Sequence, residues 1–203
     1  MKKRKNRGTP VLESDREFIL ATSARLFRQQ GFDRTTVKQI AEACDMYPGS
    51  LHYRYASKEN LLIDLMRFAI DKISNEVLKA TSEVDDPIEK MRKAINAHLK
   101  LLVSGSDEVY VLLFEWRSLQ KKEREEMIAL RDRYEALWDA MLKHLVSEGV
   151  IRNDIDINLL RLIGLGAINW VATWFQSTGP YSLEDVGNFL WQLILDAVVV
   201  KKN

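Results

Sequence analysis

The sequence predicts an all-α protein, a three-helix head carrying a helix-turn-helix followed by a six-helix body. Three observations predict it. Only 9 Gly and 4 Pro interrupt 203 residues, of which 46% are hydrophobic. The hydrophobic positions recur at i, i+3, i+4 and i+7, the spacing of one helix face. Helix starts and stops are marked by Ser, Thr or Asp caps, by Pro at first helical positions and by Gly beyond last ones. No internal repeat or low-complexity stretch breaks this pattern, and a chain of this length buries a sizeable core.

The head comes first. Met1 to Arg7, MKKRKNR, reads as the start of a basic, disordered arm over residues 1–13. It is either a solubilising end or a segment that follows a DNA backbone or enters a minor groove. Ser14 with Glu17 forms a capping box for a first helix, whose inner face is Ile19, Ser23, Leu26 and Phe27 and which stops at Gly31. Phe32 closes a small core. Thr36 and Gln39 make a second capping box, and Val37, Ile40, Ala41 and Cys44 form one face of the helix it starts. Asp45-Met46-Tyr47 is long enough only for a turn, and Pro48 suits the first position of a short helix to about Arg54. That helix exposes Ser50, His52, Tyr53 and Arg54. Two short helices, a three-residue turn and a polar outer face are the layout of a reader of the DNA major groove.

Charge agrees with that layout. Through Lys58 there are 12 Lys+Arg against 6 Asp+Glu, a net of +6, while the remainder has 18 against 23, a net of −5. The near-neutral total of +1 therefore hides a basic head suited to phosphate contacts.

The body begins at Ser57, which caps a helix from Lys58 to about Val84. Its apolar stripe is too long for the small head alone, so this helix links head to body. Asp86-Pro87 starts the next helix, which carries Met91, Ile95, His98, Leu99 and Leu102 to Gly105. A shorter helix holds Val109, Leu112, Leu113, Trp116 and Leu119. A long charged one runs from Lys121 to Glu148 and stops at Gly149. Asp156 caps a helix from Ile157 to about Ser177 that is apolar on almost every side. Arg161, Asn169 and Thr173 interrupt it, which argues against a membrane span. Ser182 and Asp185 start the last helix. The spare apolar surface of these two helices, with Leu165, Ile168, Phe189, Leu193 and Ala197 as candidates, suits a four-helix interface between two copies of the chain.

Catalytic and metal chemistry find little support. His98 and His144 are isolated, with no Cys or carboxylate at ligand spacing, so no metal site is expected. No nucleophile, base and orienting group fall together, and no glycine-rich phosphate loop is present, so neither an enzyme nor a bound cofactor is expected. The single cysteine, Cys44, reads as a small buried hydrophobe and fits a reducing cytoplasm. Trp116, Trp138, Trp170 and Trp174 are either core packing or the lining of an apolar pocket. Asn169 and Thr173 beside Trp170 and Trp174 suit recognition and interhelical hydrogen bonding equally well.

The stretch from Ile19 to Leu65, with LF, GF, TTV, IA, GSL, Y and SKE in that order and spacing, resembles the DNA-binding head of TetR-family transcriptional repressors. The resemblance implies a helix-turn-helix DNA-binding domain over 14–57 and a ligand-binding and dimerisation body over 58–203. It implies a homodimer on palindromic double-stranded operator DNA. By position, Thr36 would meet phosphate from the second helix, Pro48, Gly49, Ser50, His52 and Tyr53 would lie on the recognition helix, and Lys58 would grip phosphate. Tyr47 departs from the small capping residue usual there, and His52 stands where a tyrosine is common.

FEWRSL (Phe114 to Leu119), RDRYEALW (Arg131 to Trp138) and NWVATWFQSTGPYSLEDVG (Asn169 to Gly187) resemble TetR-type regulators of fatty-acid and sterol-side-chain catabolism, which bind acyl-CoA thioesters. That resemblance implies a small apolar effector, an acyl-CoA, held by Trp116, Arg117, Arg131, Asn169, Trp170, Thr173 and Trp174. The stretch around Trp170 offers no cation for CoA phosphates, so Arg117, Arg131 and Arg161 are the candidates. Two other readings stay open: a drug-efflux repressor with a promiscuous aromatic pocket, and a helical ligand-binding protein whose head does not read DNA.

Overall fold

A computed structural model describes residues 13–200, and the expected basic arm lies almost wholly outside them. The described residues form α1 (Glu13–Gln30), α2 (Val37–Ala43), α3 (Pro48–Arg54), α4 (Lys58–Thr81), α5 (Pro87–Leu102) and α6 (Asp107–Phe114). A 3₁₀ turn (Trp116–Ser118), α7 (Lys121–Ser147), α8 (Ile157–Trp174) and α9 (Leu183–Val198) complete them. The caps explain the starts. The side chains of Ser57, Asp86, Asp156 and Ser182 each accept a backbone N–H of the first turn they precede, satisfying donors the helix cannot. Gly31 and Gly149 end α1 and α7 at φ +84° and +68°, where a side chain is strained.

Several boundaries differ from the sequence reading, among them the ends of α5 and α8, at Leu102 and Trp174. Ser14 lies inside α1, not ahead of it. α4 ends at Thr81, whose hydroxyl donates back to the Val77 carbonyl. The helix expected to reach Leu119 breaks after Phe114 into the 3₁₀ turn.

One hydrophobic cluster runs unbroken from head to body. Phe27, Ile40 and Leu51 fill the head, Leu61, Leu65 and Met66 carry the cluster along α4, and Ile95, Leu99 and Leu145 continue it. Each such side chain contributes about 2 kcal/mol by leaving water, so the small head is stabilised by the helix that joins it to the body. α4 packs on α5, α6 and α7, and α1 packs on α6. Head and body therefore meet along two seams. α9 lies against α5 at Gly187, where a Cβ would come 2.3 Å from the Asn96 Oδ1. Backbone bonds from Arg152 N to Val198 O and from Val200 N to Val150 O, both 3.0 Å, pin the end of α9 to the α7–α8 link.

α8 corrects one expectation. Leu165 and Ile168 are 8% and 2% exposed, packed with Gly164 and Val171 in the chain's own core and not on the open face of α8. The large apolar residues facing out of α8 are Leu159, Leu162, Ile163, Trp170 and Trp174, and on α9 Phe189 and Leu193 are exposed as well, with Ala197 in line with them. By length and composition α8 is apolar enough to cross a membrane. Its two stripes, one packed on α5 and α7 and one open, instead describe a helix shared between a core and an outer surface.

Candidate functional site

The head is built around the α2–α3 turn. The Thr36 Oγ1 accepts from Gln39 N at 3.2 Å, and the Gln39 Oε1 accepts from Thr36 N at 2.8 Å, the reciprocal capping box that the sequence predicts. Asp45 turns the chain at φ +53°, and Met46 N donates to Ala41 O at 2.8 Å. Tyr47 makes no side-chain cap, so its backbone carbonyl starts α3, accepting from Ser50 N at 2.9 Å. Leu51 is fully buried and anchors the helix, which leaves Gly49, Ser50, His52 and Tyr53 exposed and Pro48 half-buried. Tyr53 is 94% exposed. Hydroxyl and imidazole groups displayed on one side of a short, well-anchored helix suit base edges and phosphates.

Lys58 opens α4 as expected, and its side chain is engaged within the chain. Its ammonium donates to the carbonyls of Phe32 (2.7 Å) and Thr35 (2.9 Å) and sits 4.1 Å from the centre of the Phe32 ring. Held by carbonyls and a ring face, it ties the start of α4 to the α1–α2 turn.

Two polar joints connect head and body, and neither was read from the sequence. Asp64 on α4 accepts from Arg16 on α1 at 2.8 and 3.0 Å and from the Tyr55 hydroxyl at 2.9 Å. Arg67 lies 3.4 Å from the same carboxylate and also pairs with Glu126 on α7. Burial pushes the Asp64 carboxyl up, but the hydrogen bonds from Arg16 and Tyr55 and the charges of Arg16 and Arg67 outweigh it and hold it below the usual range. Burial and the adjacent Asp64 raise the Tyr55 hydroxyl, so it stays a donor. At the second joint Arg28 on α1 donates to the Gly105 carbonyl at 2.8 Å and to Asp107 at 2.9 Å, with its guanidinium 4.9 Å from the Tyr110 ring centre. The Asp64–Arg67 pair has readable i, i+3 spacing, whereas Arg16 and Arg28 meet partners 48 and 79 residues away.

In the body, the residues expected to hold a ligand do not converge. Trp170 is 65% exposed and Trp174 is also open to solvent, and the Thr173 hydroxyl is used on the Trp170 carbonyl. All three face out of α8, because Gly164, Leu165, Ile168 and Val171 occupy its inner side. Trp116 is partly exposed, with the Arg117 guanidinium 5.5 Å from its ring centre. Arg131 pairs with Glu135 at 3.0 Å, and Arg161 pairs with Glu135 and with Asp139. These two arginines are therefore matched by carboxylates within the chain.

Asn169 alone of that group turns inward, to a buried polar cluster. Its Oδ1 accepts from His98 Nε2 at 3.0 Å, and His98 Nδ1 accepts from the Tyr134 hydroxyl. The imidazole is thus neutral and protonated at Nε2, and burial lowers its pKa to about 4 against the opposing pull of Asn169. The sequence showed His98 as one position on an apolar stripe and carried no sign of partners on α7 and α8. Cys44 is buried, and that burial raises its thiol pKa, in keeping with the hydrophobe expected there.

Two cavities accompany these elements. One, of about 30 Å³, is apolar and lies among α5, α7, α8 and α9 with Trp138 and Trp191 in its wall, both with indole N–H groups that have no partner among the described residues. It has room for about one water. The other, of about 470 Å³, is an open cleft where Arg28, the α5–α6 turn, α6 and the end of α8 meet.

Residues 84–198 match the family described as "Tetracyclin repressor-like, C-terminal domain", and residues 19–65 match "Bacterial regulatory proteins, tetR family". The chain is similar to the TetR-family regulator PfmR of Thermus thermophilus, at 31% identity over 91% of this chain and 99% of that one, with a TM-score of 0.75. It is similar to AibR crystallised with isovaleryl coenzyme A and operator DNA, at 26% identity over 88% and 97% of the two chains, with a TM-score of 0.77. The HTH-type transcriptional repressor KstR2 of Mycolicibacterium smegmatis shares 24% identity over 91% of each chain. PfmR is described as a transcriptional regulator and KstR2 as a transcriptional repressor. With one match running over more than half its length and a second over its head, the chain belongs to the TetR family of bacterial regulatory proteins.

Proposed function

We propose that the protein is a homodimeric repressor that binds a palindromic operator and leaves it when an acyl-CoA thioester binds. The observation that carries this reading is the α3 face. Gly49, Ser50, His52 and Tyr53 are exposed on a helix anchored through Leu51, as insertion into a major groove requires. The open stripe of Leu159, Leu162, Ile163 and Trp170 on α8, beside Phe189 and Leu193 on α9, is apolar surface of the kind a partner copy covers. The effector class alone draws on AibR, whose structure holds isovaleryl coenzyme A together with operator DNA; release from the operator is this reading's own step.

In this reading each α3 enters a major groove and the two heads are about one helical turn apart, or a multiple of it. The effector favours a dimer state whose head spacing misses the half-sites, so release follows from differential affinity for two states. A gel-shift titration on the chain's own upstream region, with and without long-chain acyl-CoA, tests both halves. A sharp shifted band that acyl-CoA removes is expected. A band indifferent to every acyl-CoA would end the effector assignment, and no specific band would end the repressor reading.

A further inference from the structure

The cleft of about 470 Å³ has the volume of a small-molecule site, and its lining combines two kinds of surface. Leu113, Phe114 and Phe175 supply apolar wall, while Ser106 and the segment from Gln176 to Thr178 supply polar edge. Among the described residues that line it, the one charged side chain is Arg28, which comes from the head, not the body. Its side chain is 41% exposed, with the guanidinium held by the Gly105 carbonyl and by Asp107. An ion pair this open to water contributes little, so a carboxylate or phosphate entering the cleft can take Asp107's place on the guanidinium. Such a ligand would touch three moving parts at once. These are α1, the α5–α6 turn that now locks Arg28, and the end of α8, which leads to the open α8–α9 surface.

We infer that this cleft is the effector site, that it takes an amphipathic anion with an apolar tail, and that Arg28 of the DNA-binding head receives the anionic end. Occupancy exchanges the Arg28–Asp107 contact between head and body for a bond to the ligand, which changes how α1 is held at the α5–α6 turn while its packing on α6 remains. The inference rests on the ligand-responsive reading above and gives it a place: the effector acts on the head directly and not only through α4.

Calorimetric titration of the full-length dimer in the absence of DNA tests it, with octanoyl-CoA, octanoate and octanol as probes. Two variants accompany the wild type: Arg28→Gln, which removes the charge, and Ala172→Trp, which fills the cleft, each checked for folding by its thermal melt. The wild type is expected to take at least one of the two anions. Arg28→Gln should weaken that binding about tenfold or more while octanol binding stays within about twofold, the loss expected of one charge-assisted bond. Ala172→Trp should abolish binding of all three. Wild-type affinity for the anions in Arg28→Gln, binding retained in a folded Ala172→Trp, or a wild type that takes none of the probes would each overturn the inference. Operator binding is measured separately without probe. Its absence in the wild type would count against the repressor reading and leave the calorimetric result intact.

Discussion

Tyr53 and Lys58 separate two ways in which one residue serves a reader. The Tyr53 ring is almost wholly exposed and packs on nothing, so its removal costs the free protein little. Tyr53→Ala should weaken operator binding by about 1–3 kcal/mol, roughly five- to 150-fold, with an unchanged melting temperature. Lys58 is bonded to the Phe32 and Thr35 carbonyls, so Lys58→Ala should lower the melting temperature of the head and weaken operator binding only as a consequence. Equal melts for the two variants would refute this division. His98 supplies a further test at this scale. Its ordinary pKa of 6.5 falls to about 4 in the folded chain, so between those values the unfolded state binds a proton that the folded state does not. Stability is fully present above about pH 6.5 and is lost as pH falls toward 4, by at most roughly 3 kcal/mol. Urea midpoints measured across that window should fall in the wild type and lie flatter in His98→Gln. Equal slopes would remove His98 from the account.

At the scale of elements, α2 and α3 depend on their starts. Thr36 and Gln39 cap α2 reciprocally, so Thr36→Ala should cost about 1 kcal/mol of stability, read from chemical denaturation. A loss below about 0.3 kcal/mol would show the cap to be redundant. The same local chemistry made most of the fold legible in the sequence. Thr36, Ser57, Asp86, Asp156 and Ser182 cap the helices they were expected to cap, because a cap and its N–H partner lie within three residues. What was not legible depends on which side of a helix faces the core. α8 is apolar nearly all round, so periodicity could not say that Leu165 and Ile168 point inward while Ile163 and Trp170 point out. For the same reason Trp170 and Trp174 looked like pocket residues, and the Asp64 and Arg28 joints stayed hidden because their partners are distant in sequence.

Across the whole molecule, the head is held from two sides, by Asp64 on α4 and by Arg28 on the α5–α6 turn. Head position is therefore tied to the packing of the body, and body packing to whatever covers the α8–α9 surface. In the proposed dimer the open stripe is the surface that a second chain covers. Ile163 is 70% exposed at its middle, and a carboxylate there would have to be desolvated if a second copy covered it, which costs several kcal/mol unless the charge is paired. Ile163→Glu should therefore leave a folded monomer. The measurement that bears most directly on this picture is native mass spectrometry of the protein on a palindromic duplex from its own upstream region, wild type beside Ile163→Glu. Wild-type protomers should appear in pairs on the duplex, and the variant should not appear there at the same concentration. Single wild-type protomers on the duplex, or Ile163→Glu bound as tightly as the wild type, would contradict it.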